Sequence, residues 1–355
     1  MRVPNWLGDL VLSLPALRAI RRAWPRAHLA VLVREELASF FEGSRWIDSR
    51  LAYRIRPGSA GWRDRWAVVR RLARERFDLA VLFTDSFESA LWAFAAGIPE
   101  RVGFAADARR LLLTHAVRRT AGLRRSHRVE EPLFLLEKAL GIVGNRADGA
   151  PDLSSEARAR VERKLSALGW REGRFLLCLA PGAAYGPSKR WPADGFASVG
   201  RRFAERRGAL CLVLGSPSDT EVCRFVAEGS GGVSLAGETT VADLLAVLSL
   251  ADLFVGNDSG AAHVAAALGT PTLTLFGSTD PRRTAPLGPS ARFLWEPPPC
   301  SPCLARTCRY GHYECLRALS PREVVEAAEE LLAGGEPRQR ATAQGVRLQS
   351  PSCSG

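Results

Sequence analysis

The residues best suited to chemistry gather at 256–263 (GNDSGAAH), after the apolar run 253–255 (LFV) and before the helix-forming stretch 261–268. Glycines at a strand-to-helix turn let backbone approach a guest closely. The free N–H groups of a helix's first turn attract phosphate. On this reading Asp258, Ser259 and Gly260 line an anion cradle, and His263, about one turn into the helix, reaches a phosphate or ribose. The plainer reading is an ordinary helix capped by Asn257, Asp258 or Ser259. A second polar turn, 277–281 with Ser278, follows the next apolar run, and two such turns on successive strands favour a ligand site. The Gly/Pro-rich loop 180–192 (APGAAYGPSKRWP) carries Tyr185, Lys189 and Arg190. It lacks P-loop spacing. A lysine there can neutralise a departing diphosphate as a compact point charge, or it can be a solvated surface cation. Asp219 and Glu221, in 215–221 (GSPSDTE), either bond ribose or base edges or cap a helix. In the first half, Gly8-Asp9 opens a helix. Asp9 is either a carboxylate stabilised by the helix dipole or a general base for an acceptor hydroxyl.

These residues need a frame, and the sequence supplies one. Short β-rich runs alternate with amphipathic stretches. In the first half, 28–33 and 79–83 read as strands and 10–23 as a helix. In the second, 175–180, 210–214, 253–255 and 272–276 are continuous apolar runs, as expected of strands covered on both faces of a parallel sheet. Helical patterns at 194–206, 220–228 and 241–249 separate them. The pattern predicts an α/β chain with two doubly wound Rossmann-like domains, residues 1–150 and 151–333, facing each other across a cleft. The seam falls in 144–152 (GNRADGAPD). The tail 334–355 has little periodic apolar content and is expected to be disordered.

Composition narrows the class. Apolar residues make up 46% and charged residues 24%, so each half can bury a core. No apolar run reaches the roughly 18–20 residues that span a bilayer. Asp9 and Pro15 interrupt the early apolar stretch, which argues against a secretory signal, and the expected location is the cytoplasm. The formal charge of +12 is lopsided. Residues 1–150 hold 26 Arg and Lys against 16 Asp and Glu, and the remainder 23 against 21. The first half is therefore expected to meet something anionic, unless arginine is simply scattered by composition. Cys300, Cys303, Cys308 and Cys315, with His312 nearby, suggest a structural zinc site. Their spacing is not the paired C-x2-C form, so reduced thiols are the preferred reading and no metal is assigned.

Together, residues 4–21 (PNWLGDLVLSLPALRAIR), 182–192 (GAAYGPSKRWP), 251–281 and the cysteine segment resemble the ADP-heptose:lipopolysaccharide heptosyltransferases of glycosyltransferase family 9, heptosyltransferase II type. The resemblance implies a GT-B fold with acceptor on the first domain and nucleotide sugar on the second. It implies inverting transfer from ADP-L-glycero-D-manno-heptose to the inner-core heptose of a Kdo-bearing lipid A acceptor, without cofactor or metal, on the cytoplasmic face of the inner membrane. It makes Asp9 the base and Lys189 the group that steadies the diphosphate. Asp258, Ser259, Gly260 and His263 become the donor turn, with Tyr185, Ser278, Asp219 and Glu221 on the donor side. Family members begin with a hydrophobic strand that residues 1–3 barely represent. The expectation is a start upstream of Met1; otherwise the first sheet lacks a central strand and leaves edges unpaired. Two other functions fit parts of the pattern. One is a GT-B transferase of different acceptor or nucleotide. The other is a non-enzymatic binder of anionic lipid or nucleic acid, although no nucleic-acid module is recognisable.

Overall fold

A computed structural model describes residues 1–334. The expected tail therefore lies, from residue 335 on, outside the described residues. The second half forms one fully parallel sheet from β6 (Leu176–Ala180), β7 (Leu210–Val213), β8 (Val233–Ser234), β9 (Leu253–Asn257), β10 (Thr272–Phe276) and β11 (Ala291–Trp295). Its spatial order is β8-β7-β6-β9-β10-β11. Every residue of β6, β9 and β10 is buried, which explains their unbroken apolar sequence. The chain winds outward in both directions from the β6–β9 pair. Beyond the carboxyl ends of that pair lies the crevice where such sheets bind ligands.

The first half contains β1 (Ala30–Arg34), β2 (Ser49–Tyr53), β3 (Leu79–Leu82), β4 (Glu100–Phe104) and β5 (His115–Val117), again parallel. The central position that the sequence left in question is filled by residues 1–3. Arg2 bridges Leu32 on one side and Leu82 on the other. The Arg2 N–H donates to the Val81 carbonyl at 2.8 Å, and the Leu32 N–H donates to the Met1 carbonyl at 2.8 Å. The β1–β2 pair and the β3–β4–β5 trio are thereby joined, which corrects the alternative of a sheet with no central strand. With this short segment counted as a strand, the order matches that of the second sheet. The crevice then lies where residues 3–9 emerge.

The halves meet through apolar packing. One core cluster includes Val3, Leu10, Leu14 and Phe40 from the first half with Leu176, Leu245, Phe254 and Val264 from the second. The hydroxyl of Ser39 accepts N–H bonds from Val241 and Ala242, at 3.1 and 3.3 Å, at the start of the Val241–Leu250 helix. A second bridge comes from residues 127 and 128. His127 Nε2 lies 2.9 Å from the Ala285 carbonyl, and the Arg128 N–H donates to the Arg283 carbonyl at 2.9 Å. No described helix is long and apolar enough to cross a membrane.

Candidate active site

The turn after β9 is not a capped helix end. Ser259 holds the N-cap position of the Gly260–Ala267 helix but makes no side-chain capping bond, and its buried hydroxyl has no partner among the described residues. Asn257 faces the other way. Its Oδ1 accepts from the Trp191 N–H at 2.9 Å, and its Nδ2 donates to the Pro181 carbonyl at 2.7 Å. Asp258 is also engaged elsewhere. Its Oδ2 lies 2.5 Å from Lys189 Nζ and accepts from the Thr279 hydroxyl at 2.7 Å. None of the three candidate caps serves the helix. Its first-turn N–H groups and a free hydroxyl remain for an outside anion.

Lys189 is therefore neither a loose surface cation nor free. It is largely buried, paired with Asp258, and 4.9 Å from the Tyr185 ring centre. The cysteine segment holds its loop in place. The Leu304 carbonyl accepts from the Tyr185 hydroxyl, the Ala305 carbonyl from the Ser188 hydroxyl, and the Arg306 carbonyl from the Ser188 N–H at 3.1 Å. Ser278 completes this tie. Its hydroxyl is 3.1 Å from that of Ser188, and its carbonyl accepts from the Leu304 N–H at 2.9 Å. The loop after β10 thus braces the Lys189 loop. Cys300, Cys303, Cys308 and Cys315 are free thiols. Among the described residues no group of three or more His, Cys, Asp or Glu is arranged to hold a metal ion. The backbone N–H of Tyr313, with those of Tyr310, Gly311 and His312, holds the Cys308 thiol below its ordinary range.

Asp9 comes from the other sheet. It lies in the first turn of the Leu7–Ala23 helix, which follows directly from residues 1–3. Two missing side chains bring this helix end onto the turn after β9. A Cβ on Gly8 would fall 2.8 Å from Cδ2 of His263, and one on Gly260 would fall 2.7 Å from the Leu7 Cβ. Burial raises the Asp9 pKa. The Arg128 guanidinium, 3.5 Å from Oδ1, opposes that shift, and Lys189 and Asp258 act on it at longer range. His263 is buried and its pKa is lowered to about 4, chiefly by desolvation, so its ring is neutral at pH 7. Its Nδ1 has no partner among the described residues. The structure therefore gathers Asp9, Lys189, Asp258, Ser259, Gly260 and His263 at one seam between the two sheets, with Tyr185 and Ser278 behind the lysine.

The remaining sequence candidates divide. Asp219 is buried at the carboxyl end of β7, beside Gly182. Its carboxylate accepts from the Ser216 N–H at 3.1 Å and hydroxyl at 2.5 Å and lies 3.4 Å from Arg190 Nη2. It caps its own turn and also borders the Lys189 loop. Glu221 is exposed on the first turn of the Thr220–Ser230 helix, and the structure does not bring it to the other candidates. Sequence reasoning missed Thr279, Arg128 and Arg2. Thr279 sits within a turn that was already suspect. Arg128 carries no local signal, because its meaning comes from proximity to Asp9. Arg2 is buried at the head of the central segment, with Nη2 2.6 Å from Asn5 Oδ1 and its guanidinium 4.8 Å above the Tyr53 ring.

The chain is similar to known proteins along most of its length. The model of glycosyltransferase family 9 (heptosyltransferase) matches residues 65–314. Lipooligosaccharide heptosyltransferase 2 of Campylobacter jejuni is 27% identical over 94% of this chain and 97% of its own length. Lipopolysaccharide heptosyltransferase 1 of Pseudomonas aeruginosa is 28% identical over 93% and 96%. The structure of ADP-heptose lps heptosyltransferase II from E. coli, 24% identical, superposes with a TM-score of 0.78 over 94% of this chain and 98% of that one. The fold is GT-B, as the paired sheets indicate. A family match across most of the chain, on a fold whose two sheets aim their carboxyl ends at one seam, makes this chain a member of glycosyltransferase family 9, the heptosyltransferases.

Proposed function

We propose that the protein transfers heptose from ADP-heptose to a lipopolysaccharide inner-core acceptor, and that this acceptor already carries one heptose. The observation that carries the reading is the uncapped start of the Gly260–Ala267 helix, set beside Lys189 and opposite Asp9. Free N–H groups and a lysine on one wall suit a diphosphate leaving group, and a carboxylate on the other wall suits a base. The type 2 relative and the E. coli structure named for ADP-heptose support the choice of donor and acceptor.

In this mechanism the acceptor hydroxyl attacks the anomeric carbon from the side facing Asp9. Its proton passes to the Asp9 carboxylate as the new carbon–oxygen bond forms. The bond from that carbon to the diphosphate breaks, and its electron pair leaves with ADP. Charge growing on the diphosphate is stabilised by Lys189 and by the N–H groups at the helix start. Asp258 holds the lysine in position, and Thr279 orients Asp258. Burial raises the affinity of Asp9 for the proton, which suits a general base. Asp219 lies on the adenosine side of this scheme. No metal takes part in any step. The enzyme works at the cytoplasmic face of the inner membrane, where the anchored acceptor is presented.

A second reading has a specific observation behind it. The P. aeruginosa type 1 relative is as similar as the type 2 relative, which fits an acceptor that bears no heptose. Purified protein with ADP-heptose should be offered core acceptors carrying zero, one or two heptoses, with products read by mass spectrometry. The proposal predicts a single heptose added to the one-heptose acceptor. Transfer to the heptose-free acceptor instead identifies the type 1 activity, and no transfer to any acceptor overturns the proposal.

A further inference from the structure

The first half exposes an apolar surface that its own fold does not use. On the Phe87–Ala95 helix, Phe87, Leu91 and Phe94 form an exposed stripe, while Ala90, Trp92 and Ala93 face the core. Beside it, the Ala60–Glu75 helix buries Gly61, Val68, Val69 and Leu72 and turns Trp62 and Trp66 outward, 62% and 51% exposed. The two helices pack together, and the Arg65–Glu88 ion pair joins them. Leu111, 92% exposed, stands on the Arg109–Leu112 turn, which packs against the Phe87–Ala95 helix. Single exposed apolar side chains are ordinary, but this many large ones on two packed helices and the adjoining turn mark a surface that meets a partner.

Charge and position identify the partner. Arg63 and Arg70 flank the two tryptophans, with Arg74 a turn further on. Among the described residues these three make no ion pair or side-chain hydrogen bond. The lopsided +10 of residues 1–150 is therefore partly displayed here. Tryptophan with unpaired arginine on one helix face suits the boundary of an anionic bilayer, where rings sit at headgroup depth and cations at the surface. Trp62 and Phe87 lie in the first turns of the helices that follow β2 and β3. In a parallel sheet both emerge at the carboxyl edge, the same edge that carries Asp9. A bilayer against this surface lies beside the acceptor wall of the seam.

We infer that the Trp62/Trp66 and Phe87/Leu91/Phe94 faces, with Arg63, Arg70 and Arg74, form a docking surface for anionic phospholipid. The inference rests on the reading of a lipid-anchored acceptor and says how the enzyme reaches it. The test is co-sedimentation with phosphatidylethanolamine vesicles that contain phosphatidylglycerol, against vesicles of phosphatidylcholine alone. Wild type is expected to partition onto the anionic vesicles and to be released by salt. The variants Trp62→Ser/Trp66→Ser/Phe94→Ser and Arg63→Gln/Arg70→Gln/Arg74→Gln are each expected to lose at least about tenfold in partitioning. Thermal midpoints near wild type and undiminished transfer to a delipidated, soluble acceptor show that the variants fold and that the seam is intact. Equal partitioning of wild type and variants overturns the inference. So does equal binding to both vesicle types, or a dimer in light scattering that the tryptophan variant dissolves without any vesicle binding. Wild-type vesicle binding without transfer to any acceptor would contradict the proposed transfer reaction and leave the docking surface standing.

Discussion

Asp9 sits under opposing influences, and their balance is open to measurement. Burial pushes its pKa up, and Arg128 at 3.5 Å pulls it down. In the proposed mechanism the ionised carboxylate is the base, so activity is expected to fall as pH drops through this pKa. Removing the guanidinium removes the lowering influence. In Arg128→Met the acid limb of the kcat/KM profile should move to higher pH than in wild type. An unmoved limb means that Asp9 does not control it. Lys189 gives a second residue-level prediction. Loss of a charged hydrogen bond to the diphosphate should weaken ADP binding at least about tenfold in Lys189→Met, as read by calorimetry. That variant also leaves the Asp258 carboxylate buried with, among the described residues, only the Thr279 hydroxyl bonded to it, so its thermal midpoint should fall. Unchanged ADP affinity removes Lys189 from the donor site.

At the scale of elements, two helix starts are pressed together, and glycine is what permits it. A Cβ on Gly260 would come 2.7 Å from the Leu7 Cβ and 3.1 Å from the Gly8 backbone nitrogen. Neither can yield without moving the helix that carries Asp9. Gly260→Val should therefore cost about 1–3 kcal/mol, read as a lower urea midpoint, and should lower turnover as the seam is forced apart. A variant with unchanged midpoint and rate would show that the contact is slack. The elements also show what the sequence could convey. β6, β9 and β10 were legible because strands covered on both faces are apolar throughout. β2 and β11 were not: Leu51 is the only buried residue of β2, and β11 has none. The Ala60–Glu75 helix was hidden by arginines and outward-facing tryptophans around a narrow buried stripe. The central segment of residues 1–3 is too short to show a period, and only its pairing on both sides reveals it. In the site, the turn at 256–263 was readable as a possible anion cradle. Its rival, a capped helix, is excluded by the bonds of Asn257 and Asp258 to residues far away in sequence.

Across the whole molecule, two sheets of the same winding point their carboxyl ends at one seam. In the proposed mechanism the base comes from one and the diphosphate wall from the other. A shared apolar core and the Ser39 bond fix the halves on one side of the Asp9–Gly260 contact, and His127 and Arg128 reach residues 283 and 285 in a second bridge. Catalysis in this account depends on register between the two halves, because neither holds a complete site. The asymmetric charge also belongs to this scale: the first half is basic and the second nearly neutral. The central claim is that Asp9 takes the acceptor's proton across the seam. Its most direct test is single-turnover heptose transfer by Asp9→Asn beside wild type, with ADP affinity measured on both. The account predicts transfer at least about a hundredfold slower with ADP affinity little changed. Transfer at near the wild-type rate would contradict it.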